Sequence, residues 1–204
     1  MKIICIGQNY PAHVEEMKSK PTTAPLFFLK PDSSLLLNNR PFYYPEFTQS
    51  LHYEAEIVLK ISKLGKHISP EFAHRYFEEV AFGIDLTARD LQEKCKKNGW
   101  PWEISKAFEH AAPVSRFINL KDEGLDIGNL PFRLEINNRV VQEGNTSHMI
   151  YPVEDLIAHV SQYMTLRLGD LLFTGTPSGV GPLKIGDQLT GYIADRLMMS
   201  MEIR

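Results

Sequence analysis

The apolar residues of this chain come in short runs, and that pattern restricts the fold more than any other feature of the sequence. Lys2 to Ile6, Leu26 to Leu29, Ser34 to Leu37, Ala55 to Ile61, Val80 to Ile84, Leu171 to Thr174 and Leu189 to Ala194 have strand rather than helix lengths. Phe132 to Ile136 and Arg139 to Gln142 flank Asn137-Asn138. Asparagine tolerates positive φ, so this pair predicts a two-residue hairpin turn. Pro and Gly are spread along the chain as turn punctuation, with no repeat, low-complexity tract or linker.

Four stretches carry helix signals. Pro11 to Met17 has proline near the first helical position, where its missing N–H costs nothing. Ser69-Pro70-Glu71 opens a second, with serine as the expected cap. Thr87-Ala88-Arg89-Asp90 has the form of a capping box before Leu91 to Lys97, with Asp in place of the usual Glu. Pro152 to Met164 places Glu154 and Asp155 in its first turn and lines Leu156, Ile157, Val160 and Met164 along one face. Many strands, few helices and no βαβ alternation predict a mainly β (α+β) fold of antiparallel or mixed sheets with peripheral helices.

With 204 residues the chain is expected to form one domain, residues 1–204, able to bury its core without staples. A net charge of -3 argues against a nucleic-acid partner, which needs a basic stripe. The apolar start is too short for a signal peptide, and no run approaches a bilayer span, so no membrane association is expected. The two cysteines, Cys5 and Cys95, form no CxxC pair, which suits a reducing cytoplasm.

Chemistry enters at Tyr53 to Ile61. With a period of two, Ala55, Ile57, Leu59 and Ile61 face one way and Glu54 and Glu56 face the other. Taken alone, this strand favours a solvated face, since surface glutamates are common. Adjacent like charges also raise each other's pKa, a conflict that a bound cation removes. Asp85, closing the apolar run Val80 to Ile84, shifts the balance toward a site. Its other reading, a helix cap, is one that Thr87 fills better. Three carboxylates without cysteine or a histidine partner suit a hard divalent cation: Mg²⁺ or Mn²⁺ first, with Ca²⁺ also fitting.

The ordered blocks of the chain resemble the fumarylacetoacetate hydrolase family. They are Gly7-Gln8-Asn9-Tyr10 with His13 and Glu16; Phe28-Leu29-Lys30-Pro31; Glu54-Ala55-Glu56; Asp85 to Gln92; Ser105-Lys106-Ala107-Phe108; Gly144-Asn145-Thr146; and Gly169-Asp170 leading to Gly175 to Gly181. The chain is most similar to the short acylpyruvase and oxaloacetate decarboxylase or tautomerase branch. It departs at Gln8, where many members carry arginine, and at Ala107, where serine is common. The resemblance implies a mixed β-roll or barrel, found as a homodimer. It implies Glu54, Glu56 and Asp85 as ligands of a divalent cation, Mg²⁺ foremost. It also implies His13 and Glu16 as an acid–base dyad and Lys106 as the stabiliser of an enolate. Arg89, Gln92, Thr176 and, more loosely, Lys30 match substrate-binding positions.

Spacing is compatible with the dyad but does not single it out. His13 and Glu16 share a helix face, as many incidental surface pairs do. The glycine run Gly175 to Gly181 lacks the endings of a phosphate loop or a nucleophile elbow. Its backbone N–H groups are expected to approach a substrate carboxylate. The function expected is metal-dependent action on small 2-oxo acids: hydrolysis of acylpyruvates, or decarboxylation or tautomerisation of oxaloacetate, through an enolate. An isomerase or decarboxylase of hydroxymuconate-type or 2-hydroxyhepta-2,4-diene-1,7-dioate substrates is the alternative on the same scaffold. A non-catalytic metal- or ligand-binding protein is the alternative of another class.

Overall fold

The computed structural model describes residues 1–20 and 22–204. Its strands are β1 (Ile3–Gly7), β2 (Leu26–Lys30), β3 (Leu35–Leu36), β4 (Leu51–Tyr53), β5 (Ala55–Ile61), β6 (Phe77–Ile84), β7 (Thr87–Ala88), β8 (Ala112–Pro113), β9 (Ile118–Asn119), β10 (Pro131–Ile136), β11 (Arg139–Asn145), β12 (Leu171–Phe173), β13 (Gly181–Pro182), β14 (Gln188–Ile193) and β15 (Arg196–Glu202). Its α-helices are α1 (Pro11–Glu16), α2 (Arg89–Asn98), α3 (Glu103–Lys106) and α4 (Val153–Tyr163). The architecture is mostly β with few helices, as expected. None of its sheets closes on itself, so it is an open roll rather than a barrel.

The central six-stranded sheet runs β2-β1-β12-β5-β6-β9. Alternate residues of its strands feed two apolar layers. Ile4, Ile57, Leu59, Phe82 and Leu172 enter the larger one. Ile3, Cys5, Val58, Ala81 and Phe173 enter the smaller one on the opposite face. Burying such side chains stabilises the sheet by roughly 1.5–3 kcal/mol each. β5 is therefore covered on both faces, which its strict alternation did not reveal.

The pairing directions of this sheet place the site. β1 and β12 are parallel, so Gly7 and the glycine run after Phe173 leave at the same end. β5 is antiparallel to β12, so its first residues lie at that end. β6 is antiparallel to β5, so Asp85 emerges there too, and its N–H donates to the Glu54 carbonyl at 2.8 Å. A second sheet, β11-β10-β14-β15, brings the β10–β11 hairpin alongside. Asn137 and Asn138 both take positive φ at its two-residue turn, as expected.

Two expected helix starts differ. Pro70–Arg75 is a 3-10 helix, and the Ser69 side chain makes no cap hydrogen bond. Thr87 does not cap α2 but belongs to β7, and α2 starts after Ala88 with no side-chain cap. Asp90 instead accepts from Thr48 Oγ1 at 2.6 Å and from the N–H groups of Gln49 and Leu91. Gly99, at φ 66, ends α2 in the left-handed conformation that glycine adopts readily. No helix among the described residues is long and apolar enough to cross a membrane.

Candidate metal centre and active site

Glu54, Glu56 and Asp85 meet at the shared end of β1, β12, β5 and β6. All three are buried, and one oxygen from each lies within 4.8 Å of the others. The solvated strand face is thereby overturned, because Glu54 is 6% exposed and Glu56 1%. Buried carboxylates need counter-charges. Lys106 Nζ supplies one, at 2.9 Å from Glu54 Oε2 and 2.7 Å from Asp85 Oδ2, and also donates to Thr87 Oγ1 at 2.6 Å. Arg89 Nη2 donates to Glu54 Oε1 at 2.5 Å, and its Nη1 to Gln92 Oε1 at 2.6 Å.

Lys30, expected at the substrate, is fully buried behind the cluster. Its Nζ is 2.7 Å from Asp85 Oδ1 and donates to the carbonyls of Ala111 and Leu86. With those three partners it acts on Asp85 rather than facing the cavity.

The three acids differ in what holds them. Burial would raise the Glu54 carboxyl, but Lys106 and Arg89 overcome this and hold it below the usual carboxylate range. Burial pulls the Lys106 ammonium down, yet Asp85 and Glu54 outweigh it and the net shift is upward. Glu56 has no ion-pair partner among the described residues and accepts one hydrogen bond, from Gly175 N–H at 2.6 Å. Burial, then Asp85, push its carboxyl well up. A divalent cation would supply the charge that Glu56 lacks. Two oxygens on one ion lie at most roughly 4–5 Å apart, and an all-oxygen donor set suits a hard cation. The residues therefore fit such an ion.

The same cavity, about 40 Å³, is lined by the triad together with His13, Gln8, Arg89, Gln92 and Thr176. His13 Nδ1 is 3.0 Å from Glu16 Oε2, and Nε2 has no hydrogen-bond partner among the described residues. Glu16 Oε1 accepts from Gly179 N–H at 2.9 Å. Asn9, fully buried at the start of this segment, ties α1 down: its side chain donates to the carbonyls of Thr174 and Tyr151 and accepts from Tyr151 N–H. Two N–H groups of the glycine run, Gly175 and Gly179, hold the carboxylates of the site itself. Both residues sit at φ +98, and a Cβ on either would come within 2.7 Å of Asn9 or 2.6 Å of the Val141 carbonyl.

Sequence reasoning missed four participants. Thr87 was expected as a cap and instead accepts from Lys106. Gln142 lies on a hairpin strand to which the sequence assigned no site residue. Lys96 and Trp102 line the cavity. Lys96 follows Arg89 and Gln92 at helical spacing, a signal that was available. Its ammonium has no ion-pair partner among the described residues and lies 5.5 Å from the Trp102 ring centre.

The open β-roll thus carries a buried three-carboxylate cluster that fits a divalent cation, beside a His–Glu pair. The chain belongs to the fumarylacetoacetate hydrolase family: residues 2–203 match its C-terminal family. It is 39% identical over 201 residues to the mitochondrial oxaloacetate tautomerase FAHD1 of Bos taurus, covering 98% of this chain and 90% of that one. It is 38% identical over 189 residues to the oxaloacetate tautomerase YcgM of Escherichia coli, covering 93% and 86%. Among solved structures, the fumarylpyruvate hydrolase of Pseudomonas aeruginosa in complex with Mn²⁺ and pyruvate superposes with a TM-score of 0.94 at 33% identity, covering 100% of this chain and 89% of that one.

Proposed function

We propose that this chain is a divalent-cation-dependent enzyme of small 2-oxo acids, with oxaloacetate keto–enol tautomerisation as its first activity and C–C cleavage of related 2-oxo acids as its second. The observation that carries this is a single cavity lined by one under-compensated buried carboxylate, Glu56, and by His13, whose ring is held by Glu16. The names of the relatives favour oxaloacetate and tautomerisation. Residues 1–204 act as one catalytic domain, which the family match over 2–203 supports.

Glu54, Glu56 and Asp85 would hold a divalent cation, with Mg²⁺ proposed, and when bound it would supply Lewis acidity toward the 2-oxo acid. His13 Nε2 takes the C3 proton and returns it at the 2-oxygen, and Glu16 holds the imidazole tautomer and steadies its charged form. The Lys106 charge offsets the negative charge that grows as the proton leaves. Arg89 and Gln92 form one wall, and Thr176 contributes a hydroxyl. Lys96 gives the outer cavity an unpaired cation for a distal carboxylate, in a site where Gln8 brings none.

The chain is proposed to act as a homodimer, supported by Leu26, Leu29 and Ile104, which are apolar and exposed on β2 and α3. A reducing compartment is proposed from the two free, buried cysteines.

The test is a panel of oxaloacetate, acylpyruvates and hydroxymuconate-type diacids with Mg²⁺ and Mn²⁺, following tautomerisation, decarboxylation and hydrolysis separately. Turnover that survives removal of the metal, or metal binding with no turnover of any member, would count against the proposal. The second outcome would favour a binding protein.

Glu56 also makes the effect of metal depend on pH. Its folded pKa is raised, so the metal-free fold binds this proton more tightly than the unfolded chain does. The stability it contributes is full below the unfolded value of about 4.3 and is lost as pH rises through the folded value. A bound cation keeps the group ionised and removes that loss. The rise in Tm on adding saturating Mn²⁺ should therefore grow as the pH is raised above the unfolded value of about 4.3. In Glu56→Gln the rise should be smaller and flatter with pH. A Tm gain that is constant with pH in the parent protein would show that Glu56 is not a ligand.

A further inference from the structure

Gln142 is buried to 2% exposure on a strand whose adjacent residues Val141 and Glu143 are not buried, and the chemistry above gives it no part. A register shift against β10 pairs Leu134 with Gln142 and Glu135 with Val140, leaving Val141 unpaired. Such bulges re-aim side chains and are common beside active sites. Here the bulge accompanies a Gln142 side chain turned between β5 and the glycine run. Oε1 accepts from Ala55 N–H at 2.9 Å, the amide between the two glutamates of the triad. Nε2 donates to the Pro177 carbonyl at 3.0 Å and to Thr176 Oγ1 at 2.9 Å.

This amide has only one workable orientation. Ala55 N–H can only donate and the Pro177 carbonyl can only accept, so the oxygen and nitrogen of Gln142 are fixed by backbone groups. One Nε2 proton therefore falls on Thr176 Oγ1, and that oxygen is an acceptor there. The hydroxyl proton of Thr176 must go elsewhere. No protein acceptor takes it among the described residues, and Thr176 lines the cavity.

We infer that Gln142 is a positioning residue for substrate binding: it holds the Thr176 hydroxyl as a hydrogen-bond donor to an oxygen of the bound 2-oxo acid. It also ties the strand of Glu54 and Glu56 to the run that holds Glu56 through Gly175 and Glu16 through Gly179. The inference rests on the 2-oxo acid function proposed above.

The experiment is calorimetric binding of pyruvate, with Mn²⁺ saturating, to the parent protein, Gln142→Met, Gln142→Glu, Thr176→Val and the two double variants. Mn²⁺ affinity and Tm are measured alongside. A hydrogen bond to a charged group is worth on the order of tenfold or more in affinity. Thr176→Val should thus weaken pyruvate about tenfold, and Gln142→Met several-fold because the hydroxyl is freed rather than lost. Gln142→Glu should be worse than Gln142→Met, because its carboxylate captures the Thr176 proton. In the Thr176→Val background both Gln142 changes should cost less than about twofold, with Mn²⁺ affinity little altered. If only one Gln142 variant folds, the cycle with that variant decides. Equal losses in both backgrounds, or losses that follow Mn²⁺ affinity, would overturn the role of Gln142 alone. A parent protein that binds no pyruvate would overturn the 2-oxo acid function as well.

Discussion

Lys106→Met is expected to destabilise the metal-free protein by about 3–5 kcal/mol, the usual cost of breaking a buried ion pair from one side. It is also expected to lower kcat/KM by about 10²–10³-fold, the range for losing one preorganised electrostatic group. Lys106 is 2% exposed, and its ammonium reaches Asp85, Glu54 and Thr87 within 2.9 Å. Methionine keeps much of the length and removes the charge. Glu54 would then rely on Arg89, and Asp85 on Lys30. Arginine would not restore the site, because a planar guanidinium cannot donate to three acceptors gathered around one point. A divalent cation brings positive charge to the same carboxylates, so the stability loss should shrink when the metal is bound. Urea unfolding with and without Mn²⁺ measures both values. An equal loss in the two conditions would mean that Lys106 and the metal do not share these carboxylates.

Much of this arrangement was legible in the sequence because it obeys local rules. β5 reads directly from its alternation, and the β10–β11 hairpin from Asn137-Asn138. Asp85 stood out as a charge closing an apolar strand. What escaped was set by tertiary contact. β15 was missed because its hairpin turns at Ala194, which takes φ 49 without the usual Asn or Gly signal. Thr87 has the chemistry of a helix cap, but strand pairing with His52 and the Lys106 ammonium claim it. Lys30 cannot be told from a substrate-facing lysine by spacing, since its position follows from how Asp85 emerges from β6. Gln142 is one polar residue on a strand with an exposed flank, and only the bulge at Val141 turns it inward. The glycine run was recognised as a place of close backbone approach, but its nearest anions proved to be the protein's own Glu56 and Glu16.

His13→Ala should separate the reactions that this site is proposed to run. Tautomerisation of oxaloacetate needs a proton carried between C3 and the 2-oxygen, and hydrolysis of an acylpyruvate needs a base to activate water. Both should fall by about 10²–10⁴-fold, the usual contribution of a positioned acid–base group. Decarboxylation of oxaloacetate needs electron withdrawal at the 2-oxo group but no attacking water, and its rate should fall far less. The structure gives the variant a clean interpretation. His13 Nδ1 contacts Glu16, and Glu16 is also held by Gly179 N–H, so the carboxylate keeps one anchor when the ring is removed. Asn9 still fixes the start of α1 through Thr174 and Tyr151. Glu16→Gln should show the same selectivity with a smaller loss, because the imidazole remains but its tautomer is no longer enforced. The measurement is kcat/KM for all three reactions with Mn²⁺ saturating in the parent, His13→Ala and Glu16→Gln proteins. Equal losses across the three reactions would remove His13 from proton transfer and place it instead in closing the cavity over any bound ligand.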